Sequence, residues 1–168
     1  MTSRTRTILI VALLPAAWTW ACAGAHTGAS GTRPADVEAL RASLAPYSSF
    51  TLAKNAGYAT AITDCMSNGD QGAMGVHYGN PALIDGTLDA TRPEALIYEP
   101  GANGALSLVG VEFVVPFAVV AKTATPPTLF GQQFAPNDVF GLWTLHVWTH
   151  RSNPGGLFAS WNPRVRCT

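Results

Sequence analysis

The sequence predicts an α+β domain in which helices near the amino terminus pack on a mainly antiparallel sheet of about four strands, with one disulfide. Apolar residues recur at helical spacing in residues 34–62, and runs rich in branched and aromatic residues follow from residue 74 onward. Helices that precede a set of strands along the chain are typical of α+β domains. A pair of widely separated cysteines predicts the disulfide.

Two helices are expected before the sheet. The first begins at Pro34, because proline is favoured in the first turn of a helix, and Pro46 ends or kinks it. Its apolar positions recur at spacings of three and four and are Val37, Leu40 and Leu44. The second helix is expected over residues 50–62, where Gly57 is an unfavourable interior residue.

Four strands are expected in the rest of the chain. A short strand over residues 74–78 comes first, and residues 96–99 and 106–115 form a hairpin with a longer loop. Residues 140–149, dense in tryptophan, leucine and valine, form the last strand. The proline-rich residues 123–138 are expected to run irregularly over the surface.

The amino-terminal residues predict a cleavable signal peptide. Arg4 and Arg6 precede an apolar run over residues 8–20, and small residues ending in Ala25 follow it. A membrane span needs about 20 apolar residues, so this run is too short to be a permanent anchor. We therefore expect the chain to be exported.

Cleavage at this point divides the chain into a signal peptide (1–25), a flexible leader (26–33) and a single α+β domain (34–168). The mature protein is then secreted or held in the cell envelope, without a transmembrane anchor. A lipid anchor through Cys22 is the alternative, although the residues before this cysteine suit lipidation poorly.

The composition argues against nucleic acid as a partner. Only 12% of the residues are charged, and the chain has ten basic and ten acidic residues. Loss of Arg4 and Arg6 with the signal peptide leaves an excess of two acidic residues, whereas nucleic-acid-binding domains carry basic patches. A small-molecule ligand is the partner that the sequence favours.

The three cysteines become one pair in the mature chain. Cys22 is removed with the signal peptide or lipidated, which leaves Cys65 and Cys167. Because exported proteins mature in an oxidising compartment, these two are expected to form a disulfide. Two separate buried thiols are the alternative.

Polar residues inside apolar strands are the main indication of a functional site. Glu112 interrupts the apolar run 109–115, and a buried carboxylate is costly unless it is paired or ligated. His77 and His146 pose the same problem in their own strands. If the three strands turn these side chains to one face, two imidazoles and one carboxylate can bind a divalent metal ion. The sequence does not identify which metal.

Two interpretations without a metal remain open from the sequence. In the first, Glu112 belongs to a polar core satisfied by hydrogen bonds. In the second, Glu112 and His146 carry protons in a ligand pocket, with Tyr78 or Tyr98 as hydrogen-bond donors. In the metal-binding interpretation, Tyr78 or Tyr98 is expected to lie next to the ligands without binding the metal itself. Glu112, Tyr78 and Tyr98 are therefore the candidate catalytic residues.

Other polar residues give weaker indications. His150 and Glu99 are expected at strand ends, where solvated side chains are ordinary. His26 becomes the terminal residue after cleavage and has an amine and a ring that chelate copper, but a flexible leader argues against a rigid site. The familiar catalytic and cofactor motifs, such as His-Glu-x-x-His and Gly-x-Ser-x-Gly, are absent from the sequence.

Several segments together resemble a family of uncharacterised exported bacterial proteins. These are residues 72–78 (GAMGVHY), residues 93–100 (PEALIYEP) and residues 146–148 (HVW), with the Asn-Pro-Gly-Gly tail at residues 153–156. The resemblance spans nearly the whole mature chain. It implies export and a single domain, and it implies no particular activity.

Two functions follow as hypotheses. The first is a small secreted metal-binding protein that acts as a hydrolase or as another metal-dependent enzyme, with a substrate that the sequence does not identify. The second is a non-catalytic extracellular module that binds a small apolar ligand among its aromatic residues. The distance between the His77 and His146 rings discriminates between these two hypotheses. If the rings lie more than about 8 Å apart, no single ion can join them, because metal–ligand bonds are near 2 Å.

Overall fold

The structure is a computed structural model that describes residues 33–167. The predicted signal peptide, all but the last residue of the predicted leader, Cys22 and His26 lie outside the described residues. Within residues 33–167, no helix has the length and apolar character needed to cross a membrane.

The helical region is shorter than the sequence suggests. Helix α1 spans Pro34–Leu44 and begins at the predicted proline, and a 3-10 turn over Ala45–Ser48 follows it. Helix α2 spans only Phe50–Asn55, so the expected helix over residues 50–62 is wrong in its second half. The chain leaves the helix through Gly57, whose φ of 101° is accessible to glycine at little cost.

Within residues 33–167, nine strands form two sheets. They are β1 (Thr60–Ala61), β2 (Met66–Ser67), β3 (Ala73–Gly79), β4 (Ala95–Pro100), β5 (Leu106–Pro116), β6 (Thr128–Leu129), β7 (Gln132–Gln133), β8 (Ala135–Asn137) and β9 (Leu142–Val147). The main antiparallel sheet has seven strands in the order β1-β3-β4-β5-β9-β8, with β2 also paired to β3. Strands β6 and β7 form a separate hairpin.

The four long strands β3, β4, β5 and β9 correspond to the four strands that the sequence predicts. The predicted count is nevertheless too low for the sheet, because short edge strands extend it on both sides. Residues 123–138, expected to be irregular, contain β6, β7 and β8. Such two- and three-residue strands are defined by their pairing with neighbouring segments of the same chain. They are too short to leave a periodic signal in the sequence.

The helices cover one face of the main sheet, as predicted. Leu40 and Leu44 of α1 are fully buried against Leu96 of β4 and against Val111 and Phe113 of β5. Alternate residues of each strand point to this face because successive side chains of a strand lie on opposite sides. Each large apolar side chain buried here contributes about 1.5–3 kcal/mol to folding.

The carboxyl-terminal tail crosses part of the opposite face. Ile97 and Trp148 form a second, smaller apolar cluster with Val165 of the tail. Asn162 exchanges two backbone hydrogen bonds with Ala73 of β3. The candidate site lies on this same face of the sheet, next to the tail.

The predicted disulfide is present. Cys65 and Cys167 are bonded, with their Cα atoms 5.5 Å apart, and they join the chain just before β2 to the end of the tail. A disulfide is consistent with an extracytoplasmic location.

Candidate metal centre

Strand register brings the three predicted ligands to one face of the sheet. Glu112 of β5 lies directly opposite His146 of β9. His77 of β3 lies opposite Ile97 of β4, which lies opposite Gly110 of β5. Cross-strand partners share a face, and so do residues two apart in one strand, so all three polar side chains point away from the helices.

Small residues between the outer strands let the two histidines meet. The backbones of β3 and β9 are separated by three strand spacings of about 4.8 Å, or about 14 Å. The two imidazole side chains reach towards each other across this gap, beside Ile97 and Glu112 on the same face. Ala95 and Gly110 are the small residues of the intervening strands on this face, and a Cβ at Gly110 would lie 2.8 Å from the carbonyl oxygen of Val147.

The ligand atoms form a tight cluster. His77 Nε2 lies 3.0 Å from His146 Nε2 and 3.6 Å from Glu112 Oε2, and His146 Nδ1 lies 3.6 Å from Glu112 Oε1. One ligand atom from each residue falls within 4.8 Å of the others. Donors bound to one tetrahedral ion at about 2.0–2.1 Å lie about 3.3 Å apart, so an ion that binds all three residues would draw these donor atoms closer together.

The two histidine rings satisfy the distance condition set by the sequence. Their centroids are 5.3 Å apart with the ring planes at 76°, well inside the limit of about 8 Å. The His146 ring also stacks on Trp148, with 6.1 Å between centroids and 11° between planes. Because one ring is held by stacking, its orientation does not depend on a ligand.

A hydroxyl orients the other ring. Thr63 Oγ1 lies 3.0 Å from His77 Nδ1, which leaves His77 Nε2 to face the cluster. A partner on the second ring nitrogen is a regular feature of metal-binding histidines, because it fixes the tautomer and the ring angle. Thr63 is not predictable from the sequence, since a threonine in a connecting segment gives no signal of its own.

Burial keeps the cluster uncharged in the absence of an ion. It lowers the pKa of His77 to about 4, and burial with the neighbouring His77 lowers the pKa of His146 to about 3. Burial raises the pKa of Glu112 to about 8, against a hydrogen bond from Thr144 that favours the carboxylate. At neutral pH both rings are therefore neutral and Glu112 is mostly protonated. A cation that binds here displaces a proton from Glu112.

The cluster lies at the base of a cavity of about 290 Å³. Its walls are mostly apolar and include Ile62, Met66, Met74, Ile84, Val114 and Phe140. Polar groups at the base are Thr63, Thr144 and the three candidate ligands. A mostly apolar cavity with a few convergent polar groups is the usual form of a small-molecule site.

A second buried carboxyl group lines the same cavity. Glu94 immediately precedes β4, is 1% exposed, and accepts a hydrogen bond of 3.0 Å from the backbone N–H of Val114. Burial raises the pKa of Glu94 to about 7. Glu94 was not among the residues predicted from the sequence. It directly precedes the apolar run Ala95–Ile97 and does not interrupt it, which is a weaker signal than that of Glu112.

The two predicted tyrosines lie on the other side of the sheet. Tyr98 donates a hydrogen bond of 2.6 Å to the carbonyl of Tyr47, and Tyr78 packs on Phe50 with 4.4 Å between ring centroids. Because His77 and Tyr78 are adjacent in one strand, their side chains point to opposite faces. Neither tyrosine lines the cavity.

The remaining candidates are also apart from the cluster. Glu99 is paired with Arg151 and accepts a hydrogen bond of 2.9 Å from the backbone of Arg166, so it holds the tail. His150 is exposed, and its ring lies 2.8 Å from the hydroxyl of Thr149.

Comparisons of the chain with family models, curated proteins and solved structures find no match. The resemblance to an exported bacterial family thus stays a prediction.

Proposed function

We propose that this chain is a small exported protein that binds one divalent metal ion through His77, Glu112 and His146, and that it acts as a metal-dependent hydrolase. The convergence of three ligand atoms within 4.8 Å at the base of a cavity carries the proposal. Two histidines and one carboxylate leave coordination positions open, as catalytic zinc and non-haem iron sites do.

The donor set fits a divalent ion of intermediate softness. Imidazole nitrogens suit zinc, copper, iron and nickel, whereas magnesium and calcium prefer sites made of oxygen ligands. Thr63 holds His77 with Nε2 directed at the cluster, and Trp148 stacks on His146. The protein thus preorganises both nitrogen ligands.

The cavity provides what a hydrolytic reaction needs besides the ligands. A bound divalent ion supplies a Lewis acid that lowers the pKa of water and polarises a carbonyl. Glu94 lines the same cavity, and its pKa of about 7 suits a group that accepts and returns a proton near neutral pH. Attack of water on an acyl carbon would form a carbon–oxygen bond and break the bond from that carbon to the leaving group. Glu94 would accept a proton from the water and return it to the leaving atom.

Elemental analysis of the purified mature chain tests the proposal. We expect about one equivalent of a divalent transition metal per chain, which His77→Ala and His146→Ala remove. His150→Ala is the matched control, because His150 is an exposed histidine outside the cluster and its loss leaves the metal content unchanged.

Glu112→Gln serves where a histidine variant does not fold, since glutamine keeps the shape of the side chain and removes its charge. We expect a folded protein with at least tenfold weaker metal binding. A wild-type chain that binds no added Zn²⁺, Co²⁺ or Fe²⁺ overturns the proposal. So does a folded His77→Ala variant with a full complement of metal.

A specific observation favours the second candidate function, a non-catalytic module for a small apolar ligand. Among the described residues, every buried side-chain nitrogen and oxygen has a hydrogen-bond partner without an ion. The histidine pair in particular satisfies itself at 3.0 Å. This candidate predicts a metal-free protein of full stability that binds apolar dyes in the cavity, which the same elemental analysis distinguishes.

A further inference from the structure

The apolar walls of the cavity restrict what can approach its base. Ten of the described residues that line the cavity are apolar, among them Ile62, Met74 and Val114, and the polar lining includes the candidate ligands, Asn137 and Ser160. A bound molecule therefore contacts hydrocarbon over much of its surface and polar groups at the candidate ligands and at a few points of the wall. Each buried CH₂ of such a ligand adds about 0.8 kcal/mol to binding, which favours an apolar body.

The charges around the cavity disfavour an anion. Among the described residues that line the cavity there is no lysine or arginine, whereas Glu94 and Glu112 both line it. At the mouth, Asp138 also lines the cavity and is paired with Lys122 at 2.5 Å. Sites for phosphate or carboxylate groups typically place arginine or lysine against the anion. Among the described residues that line the cavity, a bound divalent ion would have no lysine or arginine beside it to hold an anion.

The size of the cavity sets a limit on the ligand. A water molecule takes about 30 Å³ of liquid volume, so 290 Å³ holds a molecule of roughly ten non-hydrogen atoms. A folded peptide or an oligosaccharide chain exceeds this volume.

We infer that the cavity takes a small, uncharged, mainly apolar molecule that reaches the metal through a single oxygen-bearing head group, such as an ester or amide carbonyl. This substrate class rests on the proposed metal-dependent function and makes it more specific. Phosphate esters and other polyanions are excluded as substrates.

Ligand binding to the Zn²⁺-loaded mature chain, measured by calorimetry, tests the substrate class. The probes are acetohydroxamate and benzohydroxamate, which share a metal-binding head and differ in the apolar body, and inorganic phosphate. We expect benzohydroxamate to bind at least about tenfold tighter than acetohydroxamate, because the ring is buried against the walls. Phosphate is expected to bind at least tenfold more weakly than either.

A gain-of-function variant tests the charge argument. Met66 lines the cavity and is 36% exposed, so the stem of a lysine can follow the wall and bring its ammonium group to the cavity. Met66→Lys is expected to tighten phosphate binding about tenfold and to leave acetohydroxamate binding within twofold. Val139→Lys is the control, since Val139 is 87% exposed and does not line the cavity.

The outcomes separate the two proposals. A chain that binds no metal overturns the proposed function and this inference with it. A metal-loaded chain that binds both hydroxamates equally, or binds phosphate as tightly as benzohydroxamate, overturns the substrate class and leaves the metal site standing. The wild-type series needs no variant, so the inference is decided even if Met66→Lys does not fold.

Discussion

At the scale of single residues, the site is a set of buried polar groups whose charges are suppressed by burial. His77 and His146 are held neutral, and Glu94 and Glu112 are shifted towards the protonated form. Removing such groups from water costs free energy, which their hydrogen bonds within the protein offset.

The pH dependence of stability reports on Glu94. Its pKa is raised from 4.5 to about 7 in the folded chain, so folding favours the protonated form. The contribution of Glu94 to the free energy of unfolding is fully present below pH 4.5, the pKa of the unfolded chain. It is lost as the pH rises through about 7, the pKa of the folded chain, and the total loss is about 3 kcal/mol. Glu94→Gln removes this loss. We therefore expect the variant to match the wild type near pH 4 and to exceed it in free energy of unfolding at pH 8.

Urea unfolding of both chains in the presence of a chelator, at a series of pH values, measures this difference. Glu38→Gln is the control, because Glu38 is exposed and paired only with Arg41 on the surface of α1. Parallel pH profiles of the free energy of unfolding for the wild type and Glu94→Gln would contradict a raised pKa of Glu94 in the folded chain.

The hydroxyl of Thr63 is expected to affect metal binding through His77, whose ring it orients. Thr63→Val keeps the shape of the side chain and removes the partner of His77 Nδ1. We expect metal affinity to fall about tenfold or more, as for other partners of ligating histidines, and stability to fall by about 1 kcal/mol. A Co²⁺ titration against a competing chelator measures the affinity. Thr51→Val, an exposed position in α2, should leave it unchanged, and an unchanged affinity in Thr63→Val would argue that His77 is oriented by packing alone.

At the scale of elements, the site depends on how closely β5 and β9 approach each other. Glu112 and His146 are register partners on these two strands, and Gly110 lies two residues from Glu112. A side chain at Gly110 would meet the backbone of β9 and the ring of Trp148. The glycine thus permits the close approach that brings the ligands together.

Gly110→Ala is expected to destabilise the fold by about 1–3 kcal/mol and to weaken metal binding, because the added Cβ must push β9 away. Gly101→Ala is the matched control, since its Cβ would meet nothing closer than 3.4 Å in the β4–β5 loop. Urea unfolding and a metal titration of both variants provide the measurement. Equal effects of the two substitutions would show that the close approach is unimportant.

At the scale of the whole molecule, the disulfide ties the tail to the segment that precedes β2. It closes a loop with a sequence separation of 102 residues, and Thr63 lies two residues before Cys65. A cross-link over this length reduces the entropy of the unfolded chain by an amount equivalent to about 4–5 kcal/mol. The bond therefore stabilises both the second apolar cluster and the segment that orients His77.

Replacing both cysteines by serine is expected to lower the free energy of unfolding by about 4 kcal/mol. Chemical reduction of the wild type should produce a similar loss, and the reductant should leave the double variant unaffected. Urea unfolding with and without reductant measures both. A loss below about 1 kcal/mol would mean that packing alone holds the tail in place.

Local sequence patterns were sufficient for much of the fold. The starts of α1 and of the four long strands follow from proline placement and from runs of branched and aromatic residues, which act within a few residues. Glu112, His77 and His146 were identifiable because a polar residue in an apolar strand is locally anomalous. Thr63 was not identifiable, because a threonine in a connection is ordinary.

The sequence by itself determined the class of the domain, its long strands, the pairing of Cys65 with Cys167 and the three polar residues that need a partner. Only the tertiary structure decided that these three meet, that Tyr78 and Tyr98 face the helices, and that Glu94 and Thr63 join the site. The physical reason is that side-chain alternation and propensity are local, whereas the register of non-consecutive strands depends on contacts across the whole sheet.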